Sequence, residues 1–331
     1  MSLKYRIVNN ICDMGGFRVA RLLTRHCPRV LMYHRFCEQT SGNRLSMALF
    51  DQQMMELKKN FNVQHLSVLC DYIRQGKSTP PHSIALTIDD GYDDFYHYAF
   101  PILKKHGLPA TIYITSDFID RKLWLWPDLI TYILKQTGSK SLTFTRKDYR
   151  VEHLPLETGS DRSLAWTVLN NYCLSLGNEE RLKFIRALSQ DLAVTIRDEP
   201  EPDYGPMSWS AVRELSENGI EIGAHSRTHP VLSKLDRDQL REEIGGSKKR
   251  IEQFISLPVT AFCYPNGQPA DYNDLVKQVV IECGFSSATV AFYDRKGWQD
   301  LFEIRRFGVA QNMVQFRKAL YGVEYLSGSN I

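Results

Sequence analysis

From residue 29 onward, short apolar runs alternate with stretches of helical period. Runs at 30–33, 84–88 and 110–114 alternate with helical stretches at 47–60 and 92–106, and a long interruption follows. The rhythm resumes with helix 208–217, strand 220–223, helix 236–254, strand 259–264, helix 271–283 and a last strand at 302–305. Alternation of this kind predicts parallel βαβ units. Gly107 and Gly219 stand just past two of the helices, where a left-handed residue stops a helix at little cost.

Two regions depart from the rhythm. Residues 120–206 contain Trp124, Trp126 and Pro127, a polar strand-like pair around 142–144 and 149–151, and two helical stretches ending in DEPEPDYGP. With no flexible linker entering it, this region reads as a mixed α/β insertion, and long loops in such folds commonly shape the substrate site. Residues 1–28 place Ile7, Ile11, Met14, Phe17, Ala20 and Leu23 near helical spacing, an amphipathic segment that packs on the domain or lies on a membrane surface.

Composition narrows the class. A 43% hydrophobic and 24% charged chain of 331 residues buries a sizeable core, and it contains no apolar run of the ~18 residues a membrane span requires. The net charge of +3 is spread without a basic block, so nucleic acid is not an expected partner. Seven scattered cysteines, none spaced as CxxC, indicate neither a disulfide framework nor a thiolate zinc site. With no secretory signal pattern at the start, the expected location is the cytoplasm, at the membrane surface if the first segment docks there.

Four segments carry candidate chemistry. SIALTIDDGYDDF ends an apolar strand in two adjacent carboxylates, Asp89 and Asp90. One of them can cap the following helix, or the two can divide the work of metal binding and proton transfer. GIEIGAHSRTHP ends a strand in His225 and His229, and Pro230 favours a turn over a helix at that pair. Together they make a two-histidine, one-carboxylate set that leaves coordination positions open for water and substrate. VTAFCYPNG runs a strand into the turn at Pro265, Asn266 and Gly267, which can aim a backbone N–H near Tyr264 at a developing oxyanion. VLMYHRF delivers His34 from the end of the first strand. All four lie at the C-terminal ends of predicted parallel strands, the face that carries the active site of a β/α barrel.

In motif order, TIDDG, PATIYIT, HSRTHPVLS and FCYPNG, this sequence resembles the polysaccharide deacetylase (NodB-like) carbohydrate esterases over residues 29–116 and 205–310. The resemblance implies a distorted (β/α)7 barrel spanning 29–331 and hydrolysis of N-acetyl, less often O-acetyl, groups on sugars. It implies Asp89 as base, and Asp90, His225 and His229 as ligands of one divalent metal, zinc before other ions. Two departures stand out. The arginine that precedes the third-motif proline in many members is absent from Phe262–Cys263–Tyr264, so Arg305 or Arg306, with Arg305 preferred, is the expected substitute. The late histidine that serves many members as acid is also absent, since His229 is the last in the chain. His34 matches the Tyr-His pair of some members and is the expected acid.

Trp124 and Trp126 are sugar-stacking candidates, with Pro265 and Asn266 beside the substrate, while Asp93 and Asp94 read as helix N-terminal acids. The substrate expected is an N-acetylated glycan or a nucleotide- or lipid-linked precursor. Two competing readings are a metal amidohydrolase on a non-sugar amide and a silent glycan-binding protein.

Overall fold

The computed structural model describes residues 16–39, 42, 44–294, 297–309 and 311–327. Seven strands form its main sheet: β1 (Arg29–Tyr33), β2 (Ser83–Ile88), β3 (Thr111–Ile114), β4 (Glu221–Ala224), β5 (Ala261–Cys263), β6 (Ser287–Thr289) and β7 (Phe307–Gly308). Their spatial order is the chain order, with β7 returning beside β1, and every pairing is parallel. A further short strand, Asn62–Val63, pairs with β2 outside this path. The ring closes through a parallel bridge between Thr289 and Ile304, just before β7, so the sheet curls into a barrel. Register is long between β1 and β2, from Arg29↔Ile84 to Tyr33↔Ile88, but only Phe262↔Ala224 joins β4 to β5. This unevenness distorts the barrel.

Period-2 alternation sorts the strand residues by face. Val30, Ala85, Tyr113, Cys263 and Ile304 cluster inside with Leu66, Leu69 and Cys70 of helix Leu66–Arg74. Outward residues such as Leu31, Leu86, Ile112 and Phe262 pack beneath the surrounding helices. Gly223 is required by this packing, because a Cβ there would fall 2.4 Å from the Tyr113 ring. The helices begin on side-chain caps that satisfy otherwise orphaned N–H groups: Ser46, Ser208 and Asn273, and the Asp236–Gln239 capping box. Gly107 and Gly219 take left-handed φ of 64° and 83° at the expected stops.

The structure shifts several sequence-based bounds. The helix expected at 92–106 contains a π turn, Phe95–Ala99, before the α-helix Phe100–His106. Pro101 has no N–H to return to the preceding turn, which explains the widening. The last strand, expected at 302–305, meets the sheet at Ile304 and continues as β7 three residues later. Strand β6 had no counterpart in the sequence reading.

Between β3 and β4, a second cluster of buried side chains forms its own core. It comprises helices Trp126–Gln136, Gly159–Ser175 and Asn178–Asp191 and the antiparallel hairpin Ser141–Thr145/Val151–Pro155. Of the amphipathic segment 1–28, residues 1–15 lie outside the described part. Helix Phe17–Leu23 packs Phe17 on Tyr321 and buries Ala20, while Leu23 faces solvent. No described helix is long and apolar enough to cross a membrane.

Candidate active site

Strand β2 puts Asp89 on the same face as Ala85 and Thr87, inside the barrel at its C-terminal end. The carboxylate is 2% exposed, and both its oxygens are held by one guanidinium: Arg306 Nη1 donates to Oδ1 at 2.7 Å and Nη2 to Oδ2 at 2.8 Å. Arg306 is itself locked by Nε to the Val290 carbonyl at 2.8 Å and by Nη1 to Thr87 Oγ1 at 3.1 Å. Its Nη2 lies 3.1 Å from Cys263 Sγ. A small residue in the third motif therefore leaves room for an arginine arriving from just before β7. Burial, the largest influence, would raise the Asp89 carboxyl, but the charge and hydrogen bonds of Arg306, together with His34 and His225, outweigh it and hold the group below its ordinary value.

Arg305, the preferred sequence candidate, does not reach Asp89. Its Nε pairs with Asp294 at 2.9 Å and its Nη1 binds the Glu303 carbonyl at 2.8 Å. Consecutive residues in extended chain point to opposite sides, so only one of the pair can enter the barrel.

Asp90 sits at φ 79°, a left-handed conformation that costs a non-glycine residue on the order of 1–3 kcal/mol. Gly91 follows at φ 95°, where a Cβ would lie 2.9 Å from Ile119 Cδ1. This turn swings Asp90 away from Asp89 and toward the histidines. Asp90 Oδ1 stands 3.4 Å from His225 Nε2 and 3.5 Å from His229 Nε2. His225 Nδ1 donates to the Cys263 carbonyl at 2.8 Å, which fixes the ring with Nε2 directed at Asp90. Burial and the neighbouring His225 push His229 down to about 4, so it is neutral. Asp90, despite burial, is held below its ordinary value by its hydrogen bond to His225.

The histidine loop is fixed from behind by Glu243 of helix Arg237–Ile255. Its carboxylate accepts from the N–H groups of Arg227 and Thr228 at 3.0 and 2.8 Å and from Thr228 Oγ1 at 2.6 Å. Ser226 Oγ then accepts from His229 N–H at 3.0 Å, holding His229 at φ 58°.

These distances suit a metal. A tetrahedral shell with bonds of about 2.1 Å has edges of about 3.4 Å, close to the observed separations, and the three ligand atoms all lie within 4.8 Å of one another. Asp89, His225 and Cys263 also meet that distance criterion. They are poorly suited as a set, since Arg306 already occupies both oxygens of Asp89 and His225 directs its rings' nitrogens to Asp90 and the Cys263 carbonyl.

His34 approaches from the end of β1, with Nε2 3.5 Å from Asp89 Oδ2 and its ring 45% exposed to the cleft. Tyr264 N–H is engaged in the sheet, donating to Thr289 at 3.2 Å, and the hydroxyl donates to the Phe302 carbonyl at 2.9 Å. The expected oxyanion donor at Tyr264 is therefore already spent. Asn266 offers another: its Nδ2 is buried without a hydrogen-bond partner among the described residues, and Asn266 lines the same cleft as Asp89 and Asp90. Pro265 is buried in the preceding turn.

Trp124 and Trp126 are not on the cleft wall. Trp124 donates to the Arg197 carbonyl at 2.9 Å, and Trp126 is stacked 4.8 Å from the Arg181 guanidinium in the insertion core. The cleft, about 710 Å³ in volume, is bounded instead by Leu125, Pro127, Asp128 and Trp166 on the insertion side. Asp94 pairs with Arg35 at 2.6 Å, and Asp93 lies 3.2 Å from His97, so neither acid enters the metal-ligand group.

Comparison with known proteins identifies the family and the fold. A family model for polysaccharide deacetylase matches residues 76–164 and 178–288, more than half of the chain. A Bacillus subtilis protein, YxkH, named as a polysaccharide deacetylase, is 26% identical over 188 residues, covering 50% of this chain and 63% of YxkH. The alignment thus spans under two-thirds of that relative. Among solved structures, the Streptococcus pyogenes deacetylase PplD, in complex with acetate, superposes with a TM-score of 0.57 at 16% identity, covering 92% of this chain and 98% of PplD. IcaB from Ammonifex degensii gives 0.56 at 16% identity, covering 89% and 97%. The de-N-acetylase from Aggregatibacter actinomycetemcomitans gives 0.55 at 17%, covering 88% and 99%. At these identities the structural likeness establishes the barrel fold, and the sequence match establishes the rest: the chain belongs to the polysaccharide deacetylase family.

Proposed function

We propose that this protein removes acetyl groups from N-acetylated sugars of a glycan, using one divalent metal, zinc first, held by Asp90, His225 and His229. The observation that carries this reading is the side-by-side placement of two differently equipped aspartates. Asp90 faces two imidazoles at metal-ligand spacing, and Asp89 faces a guanidinium that keeps it ionised. When bound, the ion supplies Lewis-acid polarisation of the acetyl carbonyl and of the attacking water.

The protein's own groups supply the proton traffic. Asp89, fixed by Arg306, accepts the proton of the attacking water on Oδ2, the oxygen nearer His34. His34, exposed to the cleft, donates a proton to the departing sugar nitrogen. Asn266 Nδ2, buried and otherwise unpaired, donates to the acetyl oxygen as negative charge develops there. Such preorganised donors act most strongly where water is excluded. The six free cysteines among the described residues accord with a reducing, cytoplasmic setting.

The test combines elemental metal analysis with acetate release from a panel of N- and O-acetylated glycans. Wild-type protein should carry about one divalent ion and release acetate from the N-acetylated members. Asp89→Asn should keep the metal and lose the release. Acetate release at wild-type rate by Asp89→Asn, or none from any glycan by metal-loaded wild type, would overturn the reading.

A further inference from the structure

Helix Phe17–Leu23 is held to the barrel by one face only. Phe17 meets Tyr321 with ring centroids 5.2 Å apart, and Ala20 is buried. The helical period then turns Arg18, Val19, Leu22 and Leu23 outward, and Leu22 and Leu23 are 57% and 67% exposed. Leu326 of helix Val323–Ser327, which packs beside this one, is exposed as well. Four large aliphatic side chains therefore stand out from two adjoining helices. Single exposed apolar residues are ordinary, but a group of them marks a contact surface.

The same helix and the segment leading into β1 carry positive charge without a counter-ion. Among the described residues, the partners of these cations are neutral. The Arg21 guanidinium lies 5.3 Å from the Phe61 ring, Arg25 Nε donates to His26 Nε2 at 3.1 Å, and Arg29 Nη2 donates to the Thr24 hydroxyl. Arg21 Nε and Arg29 Nε and Nη1 are buried with no hydrogen-bond partner. His82, whose N–H donates to the Arg25 carbonyl at 2.6 Å, stands in the same field. Burial first, then Arg21, Arg29 and Arg25, push its imidazole below the ordinary value. Two acids on neighbouring helices do not offset this charge. Glu56 is paired with Arg317 at 2.9 Å and with the Tyr321 hydroxyl, and burial pushes Glu324 up to about 7.

We propose that this face docks on the surface of an anionic lipid bilayer, with Leu22 and Leu23 entering the apolar layer and Arg18, Arg21 and Arg25 meeting the headgroup phosphates. The two needs of the face coincide there, since a bilayer supplies negative potential and an apolar medium within a few ångströms of each other. A rigid acidic protein would meet the charge but would need a groove shaped to protruding leucines, whereas lipid closes around them. The contact is peripheral and reversible, because a seven-residue helix buries little apolar area and charge attraction supplies the remainder. Attachment of this kind is independent of the chemistry at Asp89 and Asp90.

The experiment is co-sedimentation of the full chain with phosphatidylcholine vesicles that contain or lack phosphatidylglycerol, across a salt series. Binding should require phosphatidylglycerol and weaken by roughly tenfold or more as added salt shortens the reach of the charges. Arg18→Gln/Arg25→Gln should weaken it by roughly tenfold or more, and Leu22→Glu/Leu23→Glu should abolish it. Both variants should melt like wild type, because the four side chains are exposed. Equal binding to the two kinds of vesicle, or binding to neither, would overturn the proposal. So would a wild-type dimer, seen by sedimentation without vesicles, that Leu22→Glu/Leu23→Glu dissolves, since the face would then belong to a second copy of the chain. Should the leucine variant fail to fold, the arginine variant and the salt series carry the same decision.

Discussion

The residue that most changes the picture of the site is Arg306. A buried carboxylate costs several kcal/mol unless paired, and Asp89 is paired in bidentate fashion by a guanidinium that is itself held on three sides. Replacing Arg306 with Met should lower kcat/KM by about 10²–10³-fold through loss of the fixed base. The same change should reduce stability by about 3–5 kcal/mol, because it leaves a buried charge unpaired. Arg306→Lys should fall between, since an ammonium supplies charge without the fork; kinetics and urea titration on the three proteins check both effects. His34 makes the opposite case. It is exposed, so His34→Ala should melt like wild type, yet lose about 10²–10⁴-fold in turnover if it delivers the proton to the leaving nitrogen. Near-normal turnover by His34→Ala would remove it from the chemistry. The aspartate and histidine positions were legible in the sequence because each ends an apolar strand in polar residues, a local signature. Arg306 was not distinguishable from Arg305 by sequence, because its partner lies 217 residues away and one step along extended chain decides which side chain enters the barrel.

At the scale of elements, the metal-ligand loop depends on a helix that contributes no ligand. Glu243 collects the N–H groups of Arg227 and Thr228 and the Thr228 hydroxyl, and thereby sets the loop carrying His229. Glu243→Gln should retain the fold and weaken divalent metal binding by roughly 10–100-fold, the usual cost of losing support around a ligand; competition against a chelator reads it directly. Sequence periodicity located this helix to within a residue at each end, but nothing in the period of helix 236–254 marked Glu243 as facing the loop. The same limit explains β6. Its residues, Ser287, Ala288 and Thr289, are small and partly polar, giving no apolar run to detect, and they are buried only because the barrel closes over them. Trp124 and Trp126 were misjudged for a related reason: composition identifies aromatic side chains but not which of them face a core. Trp166, one helix later, is the one that faces the cleft.

For the molecule as a whole, the junction between barrel and insertion carries buried charge. Asp128, on an insertion helix, accepts from the Tyr92 hydroxyl at 2.6 Å and lies 3.8 Å from Arg35, whose guanidinium stacks 3.7 Å from the Tyr92 ring. Burial pushes the Asp128 carboxyl up to about 6, against the opposing pull of Arg35. A carboxyl raised on folding contributes stability that is full below its unfolded value near 4 and is lost as pH rises through about 6. Asp128→Asn cannot titrate, so its stability relative to wild type should climb between pH 4 and 6.5 by an amount on the order of 3 kcal/mol. Urea titrations across that window measure it, and a constant difference between the two proteins would show that Asp128 does not titrate there. The alternating pattern of the chain made the barrel legible, and its break made the insertion legible. The contacts between them were not, since they join residues with no shared period. The closure of the ring has one last consequence. Because β7 lies beside β1, the counter-ion of Asp89 arrives from just before β7, 217 residues along the chain from the carboxylate, so the paired base exists only in a sheet whose seam is closed.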